Sequence, residues 1–203
     1  MKTETKEPII KEDIRIKECP FLYQKEYVGD NLQADKTKAF KTVIISAYPC
    51  CGKSYAFEHQ DELTMLDSDS SEFSWLKDST GKNTTQRNPE FPKNYIKHIK
   101  DNIGKVDIIF VSSHLVVREA LTKAGITFNT VYPKNDARNE WISRMEKRGN
   151  NDSFIKFQEA NWDKFTNSIF DEPHGAQLIL LDKNSFIDPI YLWVTLPGEI
   201  KVL

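Results

Sequence analysis

The chain is poor in cysteine, with Cys19, Cys50 and Cys51 as its three. An odd number without a Cys-x-x-Cys pair excludes a disulfide framework and a zinc-site spacing, and adjacent Cys50 and Cys51 are poorly placed to bridge each other. That scarcity fits a reducing cytoplasm, and a cytoplasmic protein is expected. No apolar run reaches the length of a membrane span. The opening MKTETKEPIIKEDIRIKE is too charged for a signal peptide, so no membrane association is expected. A dominant charge is also missing: 28 Lys and Arg against 30 Asp and Glu leave −2. The balance removes any general pull toward nucleic acid and leaves only local basic patches for such a role. Internal repeats and low-complexity tracts are absent, which excludes a repeat array.

What is present is one domain's worth of ordinary globular sequence, 39% hydrophobic and 29% charged. Residues 1–40 are strongly charged, with short apolar patches at Ile9-Ile10 and Phe21-Leu22-Tyr23, and read as an N-terminal extension. From 41 to 203, strand-like and helix-like segments alternate. Nearly continuous apolar runs predict strands near 42–47, 62–67, 106–112, 126–131 and 177–181, buried on both faces. Helical spacing relates Tyr95, Ile96, Ile99 and Ile103, then Trp141, Ile142 and Met145, then Phe154, Phe157, Phe165 and Ile169. Residues 114–124 predict a further helix ended by Gly125. This alternation predicts an α/β fold with three αβα layers and a parallel sheet of about five strands. Right-handed crossovers then gather the strand C-termini, and with them the ligand crevice, at one edge. The polar, turn-rich stretch 77–90 predicts a mobile loop.

The richest motif is Ala47-Tyr48-Pro49-Cys50-Cys51-Gly52-Lys53-Ser54, between the first strand and a helix that continues with Tyr55. A strand, a tight turn ending in Gly-Lys-Ser and a helix form a phosphate cradle whose backbone N–H groups face the anion. In that pattern Lys53 reaches the outer phosphates and Ser54 ligates Mg²⁺. Ala47 occupies the position where the pattern has glycine, and Pro49 fixes φ in mid-turn and removes one donor.

Asp67 falls at the C-terminal end of the second strand, on the same edge. A carboxylate there can hold Mg²⁺, directly or through water, or accept a proton from an attacking hydroxyl. Asp69 either contacts an acceptor or caps a helix from Ser70, with Glu72 completing a capping box. The third strand ends in Ser112-Ser113-His114 without an acid, so metal duty shifts to Ser54 and Asp67. His114 and Arg118, four apart on one helical face, read either as a cation pair for an acceptor phosphate or as a solvated face. Arg138, Trp141, Arg144 and Arg148 follow the fourth strand. They read as a lid over about 133–150 whose arginines close on a transferring phosphoryl group, against a plain solvated helix with Glu140–Arg144 pairing. Arg87 and Asn94 are candidates for reading an acceptor; Tyr95 is read as core. His59, His98 and His174 lack ligand spacing.

Taken together, AYPCCGKSY, LDSDSSEFSW, RNPEFPKNYIKHI, VDIIFVSSHLVVREAL and YP…EWI.R…RG resemble a group of small phosphate-loop proteins of phages and bacteria, over about residues 42–170. The order of parts is similar to nucleoside monophosphate kinases and shikimate-type kinases. That resemblance implies a P-loop kinase-like fold, with magnesium at Asp67, the acceptor hydroxyl at Asp69 and lid arginines at Arg138, Arg144 or Arg148. The expected activity is transfer of the ATP γ-phosphate to a small acceptor, first a nucleoside or deoxynucleoside monophosphate. A polynucleotide end or a modified DNA base is the alternative acceptor. A nucleotide-binding switch without turnover is the alternative outside enzymes.

Overall fold

A computed structural model describes residues 39–59, 61–173 and 175–202 of the chain. The expected N-terminal extension lies outside these residues, apart from Ala39 and Phe40, which already belong to the first strand. His174 also lies outside them. No helix among the described residues is long and apolar enough to cross a membrane.

The parallel strands are β1 (Ala39–Ala47), β2 (Met65–Asp67), β5 (Ile108–Ser112), β6 (Asn129–Pro133) and β7 (Leu178–Leu181), and they lie in the order β2-β5-β1-β6-β7. β1 is central because Val43, Ile44 and Ile45 are fully buried and must be covered on both faces. Its register on β5 pairs Val43 with Ile108 and Ala47 with Ser112. Side chains then alternate across the sheet, as strand geometry requires. Val43, Ile45, Ile108 and Phe110 enter one core, with Trp141, Met145, Trp162 and Leu192. Ile44, Ile109 and Val111 enter the other, with Tyr95, Ile99, Val117 and Leu121. The second core is roofed by α3 (Lys93–Asn102) and α4 (Leu115–Lys123). The first is roofed by α5 (Arg138–Lys147), α7 (Trp162–Ser168) and α8 (Pro189–Thr195), with α6 (Asp152–Ala160) beside α5. The arrangement is α/β and compatible with three αβα layers.

Several expectations are corrected. The stretch 77–90 is not a plain loop: β3 (Trp75–Lys77) and β4 (Asn83–Arg87) form a small antiparallel hairpin after the one-turn helix α2 (Ser71–Ser74). Asp78 closes its turn, accepting from the amides of Thr80 and Lys82. The segment expected as a lid is a core helix, because Trp141 and Met145 are fully buried. The aromatic run 154–169 is two helices, α6 and α7, divided at Asn161. A sixth strand, β8 (Glu199–Val202), runs antiparallel to Ala39–Thr42.

Candidate functional site

β1 ends at Ala47, and the chain turns into α1 (Lys53–His59). Cys50 takes the left-handed region at φ 63° and Gly52 lies at φ 101°. A Cβ on Gly52 would also lie 3.2 Å from Phe186 atoms, so glycine is demanded twice here. Two carbonyls of the turn are held from outside and two from within. The Trp141 indole N–H donates to the Pro49 carbonyl at 3.0 Å. The Ile187 amide donates to the Cys51 carbonyl at 2.9 Å, and the Ala56 amide to the Gly52 carbonyl at 2.9 Å. That last bond is the first of the helix, so the amides of Lys53, Ser54 and Tyr55 have no intrahelical partner. The Tyr48 and Cys51 amides are spent on the Val131 and Tyr48 carbonyls, so the donors facing whatever approaches the mouth are those at the start of α1.

Two cavities open at this edge of the sheet. The first, about 300 Å³, is lined by Cys50, Gly52–Tyr55, Arg144, Lys147, Arg148 and Phe186. The second, about 370 Å³, lies toward β2 and β5 and includes Lys53, Asp67, Asp69, His114, Arg148 and Asn150. Lys53 and Arg148 line both. Lys53 Nζ stands 3.6 Å from Asp67 Oδ1, and both line the second cavity.

The ends of β2 and β5 are fixed by Tyr95, whose hydroxyl donates to the Ser68 carbonyl at 2.6 Å and accepts from the Ser112 amide at 3.3 Å. Tyr95 is fully buried, and that burial pushes its phenol up to about 12. The next side chains are placed by the end of α5. Gly149 takes φ 77°; its amide donates to Glu146 and the Asn150 amide to Met145. This Schellman turn delivers Arg148 and Asn150 to the cavities.

The remaining candidates divide. Asp69 borders the second cavity, and its carboxylate accepts from the Ser71 amide at 2.8 Å in a turn ahead of α2, whose N-cap is Ser70 without a side-chain capping bond. His114 lines the same cavity, and partial desolvation together with the Arg87 guanidinium holds its imidazole below the ordinary histidine value. Arg87 stacks on the Trp75 ring at 3.9 Å, on the hairpin and outside the cavity lining. Ala47 and Pro49 border the second cavity. Cys51 is fully buried beneath the turn. Burial pushes the Cys50 thiol up, against the pull of the Arg148 guanidinium beside it.

Four residues expected at the site are committed elsewhere. Arg118 is buried at 1% exposure; it donates to the Ser113 and Pro173 carbonyls and pairs with Glu172. It is a strut beneath the site and not half of a cation pair with His114. Asn94 donates to the Phe73 carbonyl at 2.9 Å and accepts from the Tyr95 amide. Arg138 points away to Glu159. Arg144 borders the first cavity, yet its guanidinium is spent on Glu140 and the Lys183 and Ser185 carbonyls, between the Trp141 and Phe186 rings. Its work is to hold the 183–186 segment against the turn. Of the three expected lid arginines, Arg148 is the one that lines both cavities.

The sequence reading missed Ser68, Asn150, Phe154 and Phe186 as cavity residues. Ser68 Oγ and Asn150 Oδ1 are buried without a partner, a signal that only packing reveals. No cluster of three or more His, Cys, Asp or Glu suited to a metal ion occurs among the described residues. The donor chemistry still fits magnesium, which takes one or two protein oxygens and otherwise keeps water and phosphate. Ser54 in the first cavity and Asp67 in the second offer such oxygens. No protein-family model and no curated protein matches the chain.

Proposed function

We propose that the protein is a P-loop phosphotransferase that moves the γ-phosphate of a nucleoside triphosphate, ATP in the simplest case, to a hydroxyl of a small acceptor. The observation that carries this reading is the turn 47–54, with the Pro49 and Cys51 carbonyls tied outward and Lys53 lining two cavities and 3.6 Å from Asp67. The first cavity takes the triphosphate: the amides of the turn and Lys53 bind its oxygens, and Arg148 approaches the transferring group. The second takes the acceptor. Its hydroxyl oxygen forms the new bond to phosphorus while the bridging bond to the β-phosphate breaks. The electron pair of that bond leaves with the diphosphate, and Asp67 accepts the hydroxyl proton. Ser54 and Asp67 would hold magnesium, which would supply neutralising charge. Lys53 and Arg148 remain in place through the transfer, so catalysis is positioning plus charge stabilisation.

The test is ADP release from ATP and Mg²⁺ by the full chain, with and without candidate acceptors. Acceptor-dependent release that disappears in Lys53→Ala supports the reading. ADP binding with no release on any acceptor would leave a nucleotide switch instead.

A further inference from the structure

The first cavity is lined by cations, two hydroxyls and two rings. Lys53, Lys147 and Arg148 face it, and no carboxylate or side-chain amide lines it among the described residues. Arg144 also borders it, with its guanidinium held by Glu140 and by the Lys183 and Ser185 carbonyls. That guanidinium is the middle layer of a pile. It lies 4.1 Å from the Trp141 ring centre and 3.9 Å from the Phe186 ring centre. Trp141 is fully buried and closes the inner end of the pile, whereas Phe186 is 55% exposed and lines the cavity. The pile is therefore open at its outer end, where one more flat group can be added to the Phe186 ring. The ring is also tied to the turn. The next amide, that of Ile187, donates to the Cys51 carbonyl at 2.9 Å, and Phe186 atoms pack against the Cα side of Gly52. A base laid on Phe186 therefore has its ribose and phosphates beside the free amides at the start of α1.

Adenine and guanine differ at the edge, where one carries an amine and the other a carbonyl oxygen. Discrimination between them needs a fixed donor or acceptor placed against that edge. Around Phe186 such groups are already engaged. The Asp182 carbonyl accepts from the Ser185 amide, and the Cys51 carbonyl from Ile187. The Lys183 and Ser185 carbonyls accept from Arg144, and the Pro49 carbonyl from Trp141. The Ser54 and Tyr55 hydroxyls both donate and accept, so they suit either edge. The free cations are drawn to the phosphates, and a lysine that does reach a base finds the same N7 acceptor on both purines. The other exposed ring, Tyr55, already carries His59 stacked on it, with centres 4.0 Å apart.

We propose that Phe186 is the platform for the base of the phosphoryl donor, and that the site reads this base by its face and not by its edge, so that ATP and GTP serve alike. This rests on the phosphotransferase reading, which puts the triphosphate in the first cavity. The donor is then a purine nucleoside triphosphate of either kind. Stacking is tolerant of base identity because every base presents a π-face. Arg144 has a positioning role: its bonds to Lys183 and Ser185 hold the platform at the height of the turn.

The test is calorimetry on the full chain with Mg²⁺, using ADP, GDP and inorganic tripolyphosphate as probes. The dissociation constants of ADP and GDP should agree within about threefold, as stacking without edge contacts requires. Phe186→Ala should weaken both nucleotides by about tenfold or more, the scale of one lost base–ring stack, and leave tripolyphosphate binding unchanged. Phe186→Leu keeps apolar bulk against Arg144 and Gly52 but has no π-face, and it should show the same selective loss. Phe186→Trp should restore nucleotide binding. Tyr55→Ala should leave the nucleotides bound as before. A preference of more than about tenfold between ADP and GDP overturns the inference, because stacking alone does not supply it. Equal loss of nucleotide and tripolyphosphate in Phe186→Leu overturns it too, since Phe186 would then only brace the turn. A loss in Tyr55→Ala with none in Phe186→Leu moves the platform to Tyr55 and overturns it as well. If neither a nucleotide nor tripolyphosphate binds, the phosphotransferase reading falls with it; if tripolyphosphate and a single purine nucleotide bind, only this inference falls.

Discussion

The two cavities share Lys53 and Arg148 and differ in nearly everything else. The first is walled by the turn, by Lys147, and by the stacked Phe186 and Arg144. Its backbone is braced from three directions, by Trp141, Ile187 and α1. The second is walled by the Asp67 and Asp69 carboxylates and by serines at the ends of β2 and β5. A braced, donor-rich wall is preorganised for an anion, because its dipoles need no rearrangement when charge arrives. A wall of carboxylates, which accept and do not donate, instead suits a partner that brings hydrogen-bond donors or a cation. The difference teaches that the same strand edge can prepare two unlike sites when the chain assigns its cations to the border between them.

The largest expected effect comes from removing that border. Lys53→Ala should lower acceptor-dependent turnover by roughly a thousandfold, the upper scale for deleting one charge-stabilising contact from a transition state. Steady-state ADP release measures it, with circular dichroism to confirm the fold. A loss of only a few fold would mean that the two cavities do not work through a common lysine. Next in size is Arg118→Met, which sharpens the boundary of the second cavity. The guanidinium is 2% exposed and Glu172 25%, so the change strands a partly buried carboxylate and two carbonyls. It should cost about 3 kcal/mol of stability, read by urea unfolding, with the acceptor KM unchanged. A raised KM with unchanged stability would place Arg118 inside the cavity.

Gly52→Ala perturbs the first cavity alone. The φ of 101° and the 3.2 Å approach to Phe186 both oppose a side chain. A cost of about 1–2 kcal/mol in stability is expected from forcing a side chain into that region. The ADP dissociation constant, read by calorimetry, should rise while acceptor binding to the second cavity is preserved. Equal damage to both would show that the turn and the β2 and β5 ends respond as one unit.

Much of the scaffold was legible in the residues themselves. Unbroken apolar runs such as Val43–Ile45 and Ile108–Val111 mark strands buried on both faces, and the burial agrees. Asp67, Lys53 and the turn come together because strand ends share an edge, which alternation alone predicts. The arginines were harder to read. Arg118, Arg144 and Arg148 look alike in sequence, but two are saturated by carbonyls supplied from residues 173, 183 and 185, far along the chain. Asn150 and Ser68 were invisible for a similar reason: an orphaned oxygen is a property of the packed state. The hairpin at 75–87 was hidden because its strands are polar and short, so no apolar alternation announced them.

The smallest expected effect is a pH dependence confined to the second cavity. Partial desolvation, then the positive charge of Arg87, disfavours the imidazolium of His114 in the folded chain. The folded state therefore binds fewer protons than the unfolded one near the ordinary histidine pKa of about 6.5. Stability from this group is fully present above that value and is lost as pH falls below it toward the depressed folded pKa. His114→Gln should flatten part of the decline in melting temperature between about pH 7 and pH 5. Only part should go, because burial also lowers His98 on α3, and that residue still titrates in the variant. The imidazole resonances separate the two: in Arg87→Gln the His114 midpoint should move up toward the ordinary value while the His98 midpoint stays put. A His114 midpoint at or above about 6.5 in the unaltered chain would mean that the second cavity carries enough negative charge to hold an imidazolium. The contrast between the cavities would then be sharper than the geometry alone suggests.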